Sequence, residues 1–443
     1  GLNVLAQALS VAPENPRPWL LRAHYRAKVF LHQEALEDFR RALQIDARLV
    51  SAVCGAASSL AALCRHEEAW RELEGLVATD AQASLQRDCT AAFILRTEGR
   101  VQEAESMLRG CVDRGCAAAQ WDLACLLLLQ GRYAEGWSLW RTSSESSRPR
   151  ALWHRMLGLG ARPWDGDVAK ARDRVLAVIS DGGLGDALQF ARFLPALQSR
   201  GVKVVLYAQD AIRRLLGRLD PRIEVLGADD GAAPARADLV CSLWDLPMLL
   251  DVRLDSLDQW GPPHYLRLAD QKRAVTTAPR PGPLRVALAW RGNRTQLVER
   301  SIPLERFADL GVDGVEWFSL QRELHPGPEA DAARRMGLHH EGWNLDESAQ
   351  AMPRMDLVVS VDTVFCHLAG SLGLPTRVLL PLACDWRWGT AESSNSPWYP
   401  NSVLLRQRRP GDWSDPLAEL AACLRQRALA SAAGTGEGIL RGP

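Results

Sequence analysis

Residues 175–189 read Val-Leu-Ala-Val-Ile-Ser-Asp-Gly-Gly-Leu-Gly-Asp-Ala-Leu-Gln, and this stretch decides the fold. A short apolar run that breaks into glycines and then becomes helical in pattern predicts a buried strand, a tight turn and a helix. The bare amides of such a turn and the helix N-terminus can hold an anion. Asp186, at the mouth of the helix, is placed to accept a proton from an incoming hydroxyl. The alternative is that Asp186 caps the helix and the glycines serve only the turn.

A second strand, turn and helix is predicted over residues 356–369, Asp-Leu-Val-Val-Ser-Val-Asp-Thr-Val-Phe-Cys-His-Leu-Ala. Asp362, Thr363 and the free amides at this helix start suit a diphosphate. His367 lies about one turn further on the same face and is placed to donate to the phosphate or to a sugar. The alternative is an Asp-Thr cap with a packed histidine.

A polar loop with three arginines lies between the two turns. It starts at Trp290 and carries Arg291, Arg294 and Arg300. Arginine binds phosphate oxygens bidentately, so we expect one of the three to contact a phosphate and the others to be solvated. Gln321 follows the next apolar run and is placed to read a base or a ribose, with an ordinary loop glutamine as the alternative.

Short apolar runs alternate with helical stretches in two parts of the chain, which indicates parallel sheets with crossover helices. The parts span residues 175–276 and 284–430, and a proline-rich joint, 277–283, separates them. Two such units joined by a hinge form a cleft between the carboxyl ends of their strands, where ligands of open parallel sheets bind. The predicted strands are 175–179, 202–207, 223–226, 239–242, 285–290, 315–320, 356–361 and 376–380, and the predicted helices include 188–199 and 211–219.

Residues 1–141 repeat with a period near 34. The fourth residue of each aligned segment is small, and these small residues are 34, 35 and 32 apart. Such a pattern is typical of stacked helix pairs, used either as a spacer or as a concave surface that grips an extended peptide. Residues 142–174, rich in Ser, Arg, Pro and Trp, predict a linker. The aligned segments begin at His32, His66, Val101 and Tyr133.

Composition excludes several classes of function. Lysine plus arginine equals aspartate plus glutamate, 53 against 53, so no net charge favours a nucleic acid or an anionic membrane. The ten cysteines lack zinc-site spacing and predict reduced thiols in a cytoplasmic protein. No apolar run approaches the roughly 20 residues that span a bilayer. Because Gly1 opens what reads as the second half of a helical hairpin, we expect a fragment of a longer protein.

Tryptophan is unusually common, with sixteen residues against five tyrosines. Two clusters, Asp-Trp-Arg-Trp at 385–388 and Ser-Pro-Trp-Tyr-Pro at 396–400, hold several of them. Such loops either stack a base or sugar or close a domain seam, and we expect packing for most. Arg387 is expected to lie over an aromatic face.

Together these stretches resemble a bacterial family in which tetratricopeptide repeats precede a glycosyltransferase module of the GT-B type. The family is related to the lipopolysaccharide heptosyltransferases and more distantly to O-linked N-acetylglucosamine transferases. The resemblance covers nearly the whole chain, and the joint occurrence of its motifs in this order is what is specific. The repeat part rests on Trp19, Ala23, Ala35, Phe39 and Ala42. The transferase part rests on residues 163–166, 183–195, 290–293, 300–304, 318–321, 360–363, 367–370 and the two tryptophan clusters.

The resemblance implies an α-solenoid followed by an α/β GT-B fold, in which two Rossmann-like domains face a cleft. It implies an inverting, metal-independent transfer from a nucleotide-diphosphate sugar, with no other cofactor, to a hydroxyl on a protein or peptide bound by the repeats. Asp186 would be the general base. The acceptor side would include Gly183, Gly185 and Gln189, and the donor would be held by Trp290, Asn293, Arg300, Gln321, Asp362, Thr363 and His367.

Two other functions stay open. The loop after Asn293 has Gln296-Leu-Val where the relatives often carry lysine or histidine. This departure favours a repeat-based adaptor whose transferase-like half has lost catalysis. A lipopolysaccharide heptosyltransferase would share the chemistry but not the repeat array.

Overall fold

The computed structural model of the protein describes residues 2–144, 150–180, 182–228, 237–268, 282–292 and 298–433. A helical region comes first, and two five-stranded parallel sheets with their helices follow. The predicted helical region and the two Rossmann-like units are confirmed.

The helices of the first region pack against their neighbours along the chain. Four of them begin at the first residues of the four aligned segments, so the repeat marks helix starts. Whether the pairs are of the tetratricopeptide type stays a prediction. The helices are α1 (Leu2–Val11), α2 (Pro16–Lys28), α3 (His32–Ile45), α4 (Val50–Ala62), α5 (His66–Glu74), α6 (Ala81–Thr97), α7 (Val101–Asp113), α8 (Ala117–Leu129), α9 (Tyr133–Ser144) and α10 (Arg150–Gly158).

The turn before each of the four repeated helices contains one residue with positive φ, and these are Phe30, Cys64, Gly99 and Gly131. Their spacing equals that of the small residues, so the repeat extends to backbone conformation.

A close helix crossing in this region depends on a small residue. A Cβ at Gly55 on α4 would lie 2.3 Å from the ring of Phe39 on α3, so a larger residue cannot replace this glycine without separating the helices.

The first sheet has the order β1-β5-β2-β3-β4, and all of its strands are parallel. The segment predicted as a linker, 142–174, contains α10 and strand β1, so it is more structured than expected. A two-residue strand is too short to leave an apolar run in the sequence. The elements are β1 (Arg162–Pro163), β2 (Val175–Ile179), α11 (Leu184–Ala191), α12 (Phe193–Ser199), β3 (Lys203–Ala208), α13 (Asp210–Leu216), β4 (Glu224–Gly227), β5 (Leu239–Ser242) and α14 (Leu246–Leu249).

The helix predicted over 188–199 is wrong as a single element. It is divided into α11 and α12, which meet at Arg192. Pro195 has no backbone N–H, so it cannot donate to the carbonyl of Ala191 and the helical hydrogen bonding is interrupted there.

The second sheet has the order β10-β9-β8-β6-β7 and is also parallel. All eight predicted strands are present within one residue of their predicted bounds. Strand β10 was not predicted, because polar residues at both ends leave only three consecutive apolar positions. The elements are β6 (Leu284–Ala289), α15 (Leu304–Ala308), β7 (Val315–Ser319), α16 (Pro328–Met336), α17 (Leu345–Ala351), β8 (Leu357–Val361), α18 (Val364–Leu372), β9 (Thr376–Leu380), β10 (Ser402–Arg406) and α19 (Ser414–Ala433).

Tryptophans close the seam between the helical region and the two sheet units. The buried ring of Trp386 lies 5.5 Å from Trp137 on α9, 6.4 Å from Phe190 on α11 and 6.0 Å from Trp398. The indole N–H of Trp137 donates to the carbonyl of Val252 at 2.7 Å. Ten of the sixteen tryptophans are buried, so the predicted packing role is confirmed for most of them.

All ten cysteines are free thiols, six of them buried. In the part of the chain that the structure describes, no helix has both the length and the apolar character needed to cross a bilayer.

Candidate active site

The two turns predicted from the sequence meet where the sheet units touch. β2 leads into α11, and β8 leads into α18. A Cβ at Gly185 on α11 would lie 2.8 Å from Cδ2 of His367 on α18. The two helix starts therefore touch, and a glycine is needed for this contact. Asp186 follows Gly185 on one side, while Asp362 and Thr363 precede α18 on the other.

Asp186 both caps α11 and forms an ion pair with the other unit. Its Oδ2 accepts the N–H of Gly183 at 2.9 Å, and its Oδ1 accepts a hydrogen bond from Nη2 of Arg387 at 2.5 Å. The side chain keeps 18% of its surface exposed, so Asp186 is only partly buried. Burial raises the pKa of Asp186, and the charge of Arg387 opposes this rise. A carboxylate with a raised pKa is a stronger base.

The glycines of the first turn serve close packing. Gly182, Gly183 and Gly185 all lack positive φ, so none is required by backbone conformation. A Cβ at Gly182 would lie 3.0 Å from the ring of Trp244 and 3.2 Å from Oδ2 of Asp186. Small residues here let side chains of the protein approach the turn. That Gly183, which is exposed, also lets a substrate approach stays a prediction.

Arg387 is held on several sides. Its Nη1 lies 2.9 Å from Oδ1 of Asp385, and its guanidinium carbon lies 5.1 Å from the centre of Trp386 and 5.5 Å from that of Phe190. The predicted position over an aromatic face is confirmed. Burial acts to lower the pKa of Arg387, but the carboxylates of Asp385 and Asp186 outweigh burial and raise it.

Asp362 and Arg300 form a second buried ion pair. Nη1 of Arg300 lies 3.5 Å from Oδ2 of Asp362. Burial raises the pKa of Asp362, and the charge of Arg300 opposes the rise. A Cβ at Gly292 would lie 2.5 Å from Nε of Arg300, so Arg300 folds back over its own loop to reach the start of α18.

Thr363 is the N-cap of α18. Its Oγ1 accepts the N–H of Phe365 at 3.2 Å and lies 2.9 Å from Oγ of Ser360. Thr363 is only partly buried. The predicted helix start is therefore accessible, and the amides of a helix N-terminus favour an anion.

His367 is the packed histidine that the sequence left as an alternative. Its ring stacks on Trp388 with centroids 5.3 Å apart, and its Nδ1 lies 3.1 Å from the hydroxyl of Tyr399. Burial lowers the pKa of His367 well below its usual value. The imidazole is therefore neutral, and it forms part of the contact between the units.

Asp362, Cys366 and His367 place three possible metal-ligand atoms within 4.8 Å of one another. The guanidinium of Arg300 already neutralises Asp362. Sγ of Cys366 donates to the carbonyl of Thr363 at 2.8 Å, and burial raises the pKa of this thiol. A protonated thiol and a paired carboxylate are poor metal ligands, so the cluster is better suited to hydrogen bonding.

Three further predicted site residues are buried. Trp290 belongs to the apolar core of the second unit. The backbone of Gln321 is hydrogen bonded to Oγ of Ser319. Neither end of the Gln189 amide has a hydrogen-bond partner within the described ranges. Their contacts with a substrate stay predictions, and Asn293 lies outside the described residues.

Arg291 is not directed at α18. Its Nη1 lies 2.7 Å from Oε2 of Glu329 and 2.8 Å from Nδ1 of His325. Arg294 lies outside the described residues. Of the two arginines of this loop that the structure describes, Arg300 is the one beside Asp362.

The sequence did not predict that Arg387 would hold Asp186, which is 201 positions away. The sequence around Arg387 shows only an arginine between two tryptophans, which predicts stacking on an aromatic ring. A second ion pair between the units, from Nη1 of Arg218 to Oδ1 of Asp346 at 2.8 Å, was not predicted either.

No protein-family profile matches the chain. The chain is 26% identical over 393 residues to Protein FlbA of Caulobacter vibrioides, which covers 79% of this chain. The chain spans 64% of the length of FlbA. Among solved structures it is similar to a glycosyl transferase family 9 protein from Veillonella parvula, with 14% identity and a TM-score of 0.40 over 59% of this chain and 99% of that chain. It is also similar to an O-GlcNAc transferase mutant from Thermobaculum terrenum, with 14% identity and a TM-score of 0.34 over 94% and 93% of the two chains.

Proposed function

We propose that the protein is an inverting, metal-independent glycosyltransferase that uses a nucleotide-diphosphate sugar. The observation that carries the proposal is the contact between α11, which carries Asp186, and α18 of the other Rossmann-like unit, made where Gly185 meets His367. A base on one wall and an anion-binding helix end on the other are what a single displacement at a sugar carbon requires. The motif resemblance supports the same function.

In this mechanism the donor diphosphate binds at Thr363 and the first amides of α18, beside Arg300. Asp186 accepts the proton of the acceptor hydroxyl, and the hydroxyl oxygen attacks the sugar carbon while its bond to the diphosphate breaks. One displacement inverts the configuration and needs one base. The partial exposure of Asp186 and its raised pKa support its role as that base.

We further propose that the acceptor is a protein or peptide guided by the helical region. The position of α9 supports this, because Trp137 and Trp140 contact Trp386, the residue next to Arg387. Helix α9 therefore lies next to the segment that carries Arg387, the partner of Asp186. A lipopolysaccharide heptosyltransferase is compatible with the same site and differs in its acceptor.

A non-catalytic adaptor is the second candidate, and one observation favours it. Both arginines of the site are already paired, Arg387 with Asp186 and Asp385, and Arg300 with Asp362. Paired guanidiniums offer a diphosphate less positive charge than free ones.

A thermal-shift screen over nucleoside diphosphates separates the two candidates. Stabilisation by one nucleotide supports an enzyme, because a ligand that binds the folded state raises its apparent stability. Absence of stabilisation at millimolar concentrations supports the adaptor.

The matching nucleotide sugar then permits a direct test of the base. Asp186→Ala should abolish transfer without weakening donor binding, and unchanged turnover would remove Asp186 from the mechanism. Mass spectrometry of a co-expressed neighbouring protein, for an added sugar mass, tests the acceptor.

A further inference from the structure

Arg387 has no role in the mechanism above, yet it reaches from one unit to the other. It belongs to the short 3-10 helix Trp386–Trp388 of the second unit, and Asp385 caps this helix by accepting the N–H of Arg387 at 3.1 Å. Asp385 also holds Nη1 of the guanidinium at 2.9 Å. Fixed in this way from its own unit, the side chain donates Nη2 to Oδ1 of Asp186 on the first unit.

The guanidinium retains an unused donor. Its Nε–H has no hydrogen-bond partner in the part of the chain described, although Arg387 is only 5% exposed. Burying an unpaired N–H of a charged group is costly, and guanidinium donors match the oxygens of a phosphate. Asp362, in the turn between β8 and α18 where the donor is proposed to bind, is near enough to help raise the pKa of Arg387. Arg387 therefore carries an unused donor while its guanidinium is bonded to Asp186.

We propose that Arg387 is a positioning residue shared between Asp186 and the diphosphate of the donor, an inference that rests on the proposed function. While no diphosphate is bound, the positive charge of Arg387 favours the carboxylate of Asp186 and weakens it as a base. A diphosphate that takes part of the guanidinium weakens this bond and frees Oδ1 for the acceptor hydroxyl. Donor binding thereby strengthens the base.

Atoms and charges balance in the resulting step. The acceptor oxygen forms a bond to the sugar carbon, and its proton passes to Oδ1 of Asp186. The bond from the sugar carbon to the diphosphate oxygen breaks, and its electron pair stays on that oxygen. Negative charge therefore moves from Asp186 to the diphosphate, and the guanidinium of Arg387 favours this shift as its bond to Asp186 gives way to one with the diphosphate.

Calorimetric titration with inorganic pyrophosphate tests the sharing without any need for turnover. The proteins compared are the wild type, Asp186→Asn, Arg387→Gln and the double variant. Asp186→Asn releases Arg387 for the phosphate, so it should tighten pyrophosphate binding about three- to ten-fold. In the Arg387→Gln background the same change should have no effect.

The outcomes separate this inference from the proposed function. Equal tightening in both backgrounds, or none in either, would overturn the sharing while leaving a diphosphate site in place. Failure of the wild type to bind millimolar pyrophosphate would instead overturn the diphosphate site and with it the proposed function.

Two variants guard against a purely structural effect. Arg218→Gln removes another ion pair between the units, with Asp346, and should leave pyrophosphate affinity unchanged. If Arg218→Gln lowers pyrophosphate affinity as much as Arg387→Gln does, the change in affinity comes from a weaker contact between the units, and the inference is overturned. If Arg387→Gln does not fold, Arg387→Lys replaces it, because lysine keeps the charge but lacks the fork that serves two anions. In the Arg387→Lys background, the tightening of pyrophosphate binding by Asp186→Asn should then be at least about two-fold smaller than in the protein that keeps Arg387. An equal tightening in both backgrounds overturns the sharing.

Discussion

At the scale of single residues, the candidate site is a set of paired charges. Asp186, Asp362 and Asp385 lie opposite Arg387 and Arg300. A diphosphate at the proposed site would meet cations that already have partners, and its binding would require some of those pairs to be shared. Breaking one pair by mutation leaves its partner buried and uncompensated, which is more costly than removing both.

Donor affinity should depend on one arginine of the 290–300 loop and not on another. Arg300→Ala combined with Thr363→Ala should weaken binding of the nucleotide sugar by about ten-fold or more, because hydrogen bonds to a charged group are lost. Isothermal titration measures the change. Arg291→Ala is the matched control, since Glu329 already holds its guanidinium, and it should bind the donor like the wild type. Equal affinity in all three proteins would contradict the phosphate assignment.

His367 should make stability depend on pH. Its folded-state pKa is lowered by burial and lies below the unfolded value of about 6.5, so the unfolded chain binds the proton first as pH falls. The stability contribution is complete above about pH 6.5 and is lost below it, by up to about 1.4 kcal/mol per pH unit.

Denaturant unfolding at pH 7.5, 6.5 and 5.5 checks this expectation. His367→Asn, which retains a polar group near Tyr399, should reduce the acid-side slope. Part of the slope should persist, since burial also lowers the pKa of His24, His32 and His66. An unchanged slope in the variant would show that His367 is not the titrating group.

At the scale of elements, glycines inside helices report how closely the helices approach. A Cβ at Gly110 on α7 would meet no atom of the described residues within 4 Å beyond its own helix backbone, whereas a Cβ at Gly136 on α9 would lie 2.7 Å from Leu128 on α8. Gly110 therefore only lowers the helix propensity of α7, whereas Gly136 is needed for the close packing of α9 on α8.

The same substitution should therefore have opposite effects in these two helices. Gly110→Ala should raise the free energy of unfolding by about 0.5–1 kcal/mol, because alanine favours the helix. Gly136→Ala should lower it by about 1–3 kcal/mol, because the methyl group displaces Leu128. Thermal and denaturant unfolding of both variants decide the matter, and a stabilised Gly136→Ala protein would disprove the close crossing.

At the scale of the whole molecule, the seam around Trp386 joins the helical region to both sheet units. Tyr133, Trp137 and Trp140 from α9 all contact its ring, and so does Phe190 from α11. The same residue lies under the guanidinium of Arg387. Packing of the helical region and geometry of the site therefore depend on one cluster.

Trp386→Ala should uncouple the helical region from the sheets. Loss of a buried tryptophan costs about 3–5 kcal/mol, and we expect the calorimetric unfolding transition to separate into two. Trp19→Ala is the control, because the indole of Trp19 bonds to the carbonyl of Pro13 away from the seam; it should lower stability without dividing the transition. A single transition in the Trp386 variant would argue against this coupling.

The sequence by itself determined the elements that depend on neighbours along the chain. The eight predicted strands agree with the structure, and the predicted repeat lies in a helical region, because apolar runs, glycine turns and a regular period are local signals. It also indicated Asp186 and Asp362 at strand ends, because parallel strands place their carboxyl ends at one edge.

Only the tertiary structure decided which of these groups meet. The approach of Gly185 to His367 and the hold of Arg387 on Asp186 join residues that are far apart in sequence. The spacing of residues along the chain does not encode such contacts, since they depend on how the two sheet units pack together. Burial then sets the charge of each group, because a pKa responds to the atoms around a side chain in space and not to its neighbours along the chain.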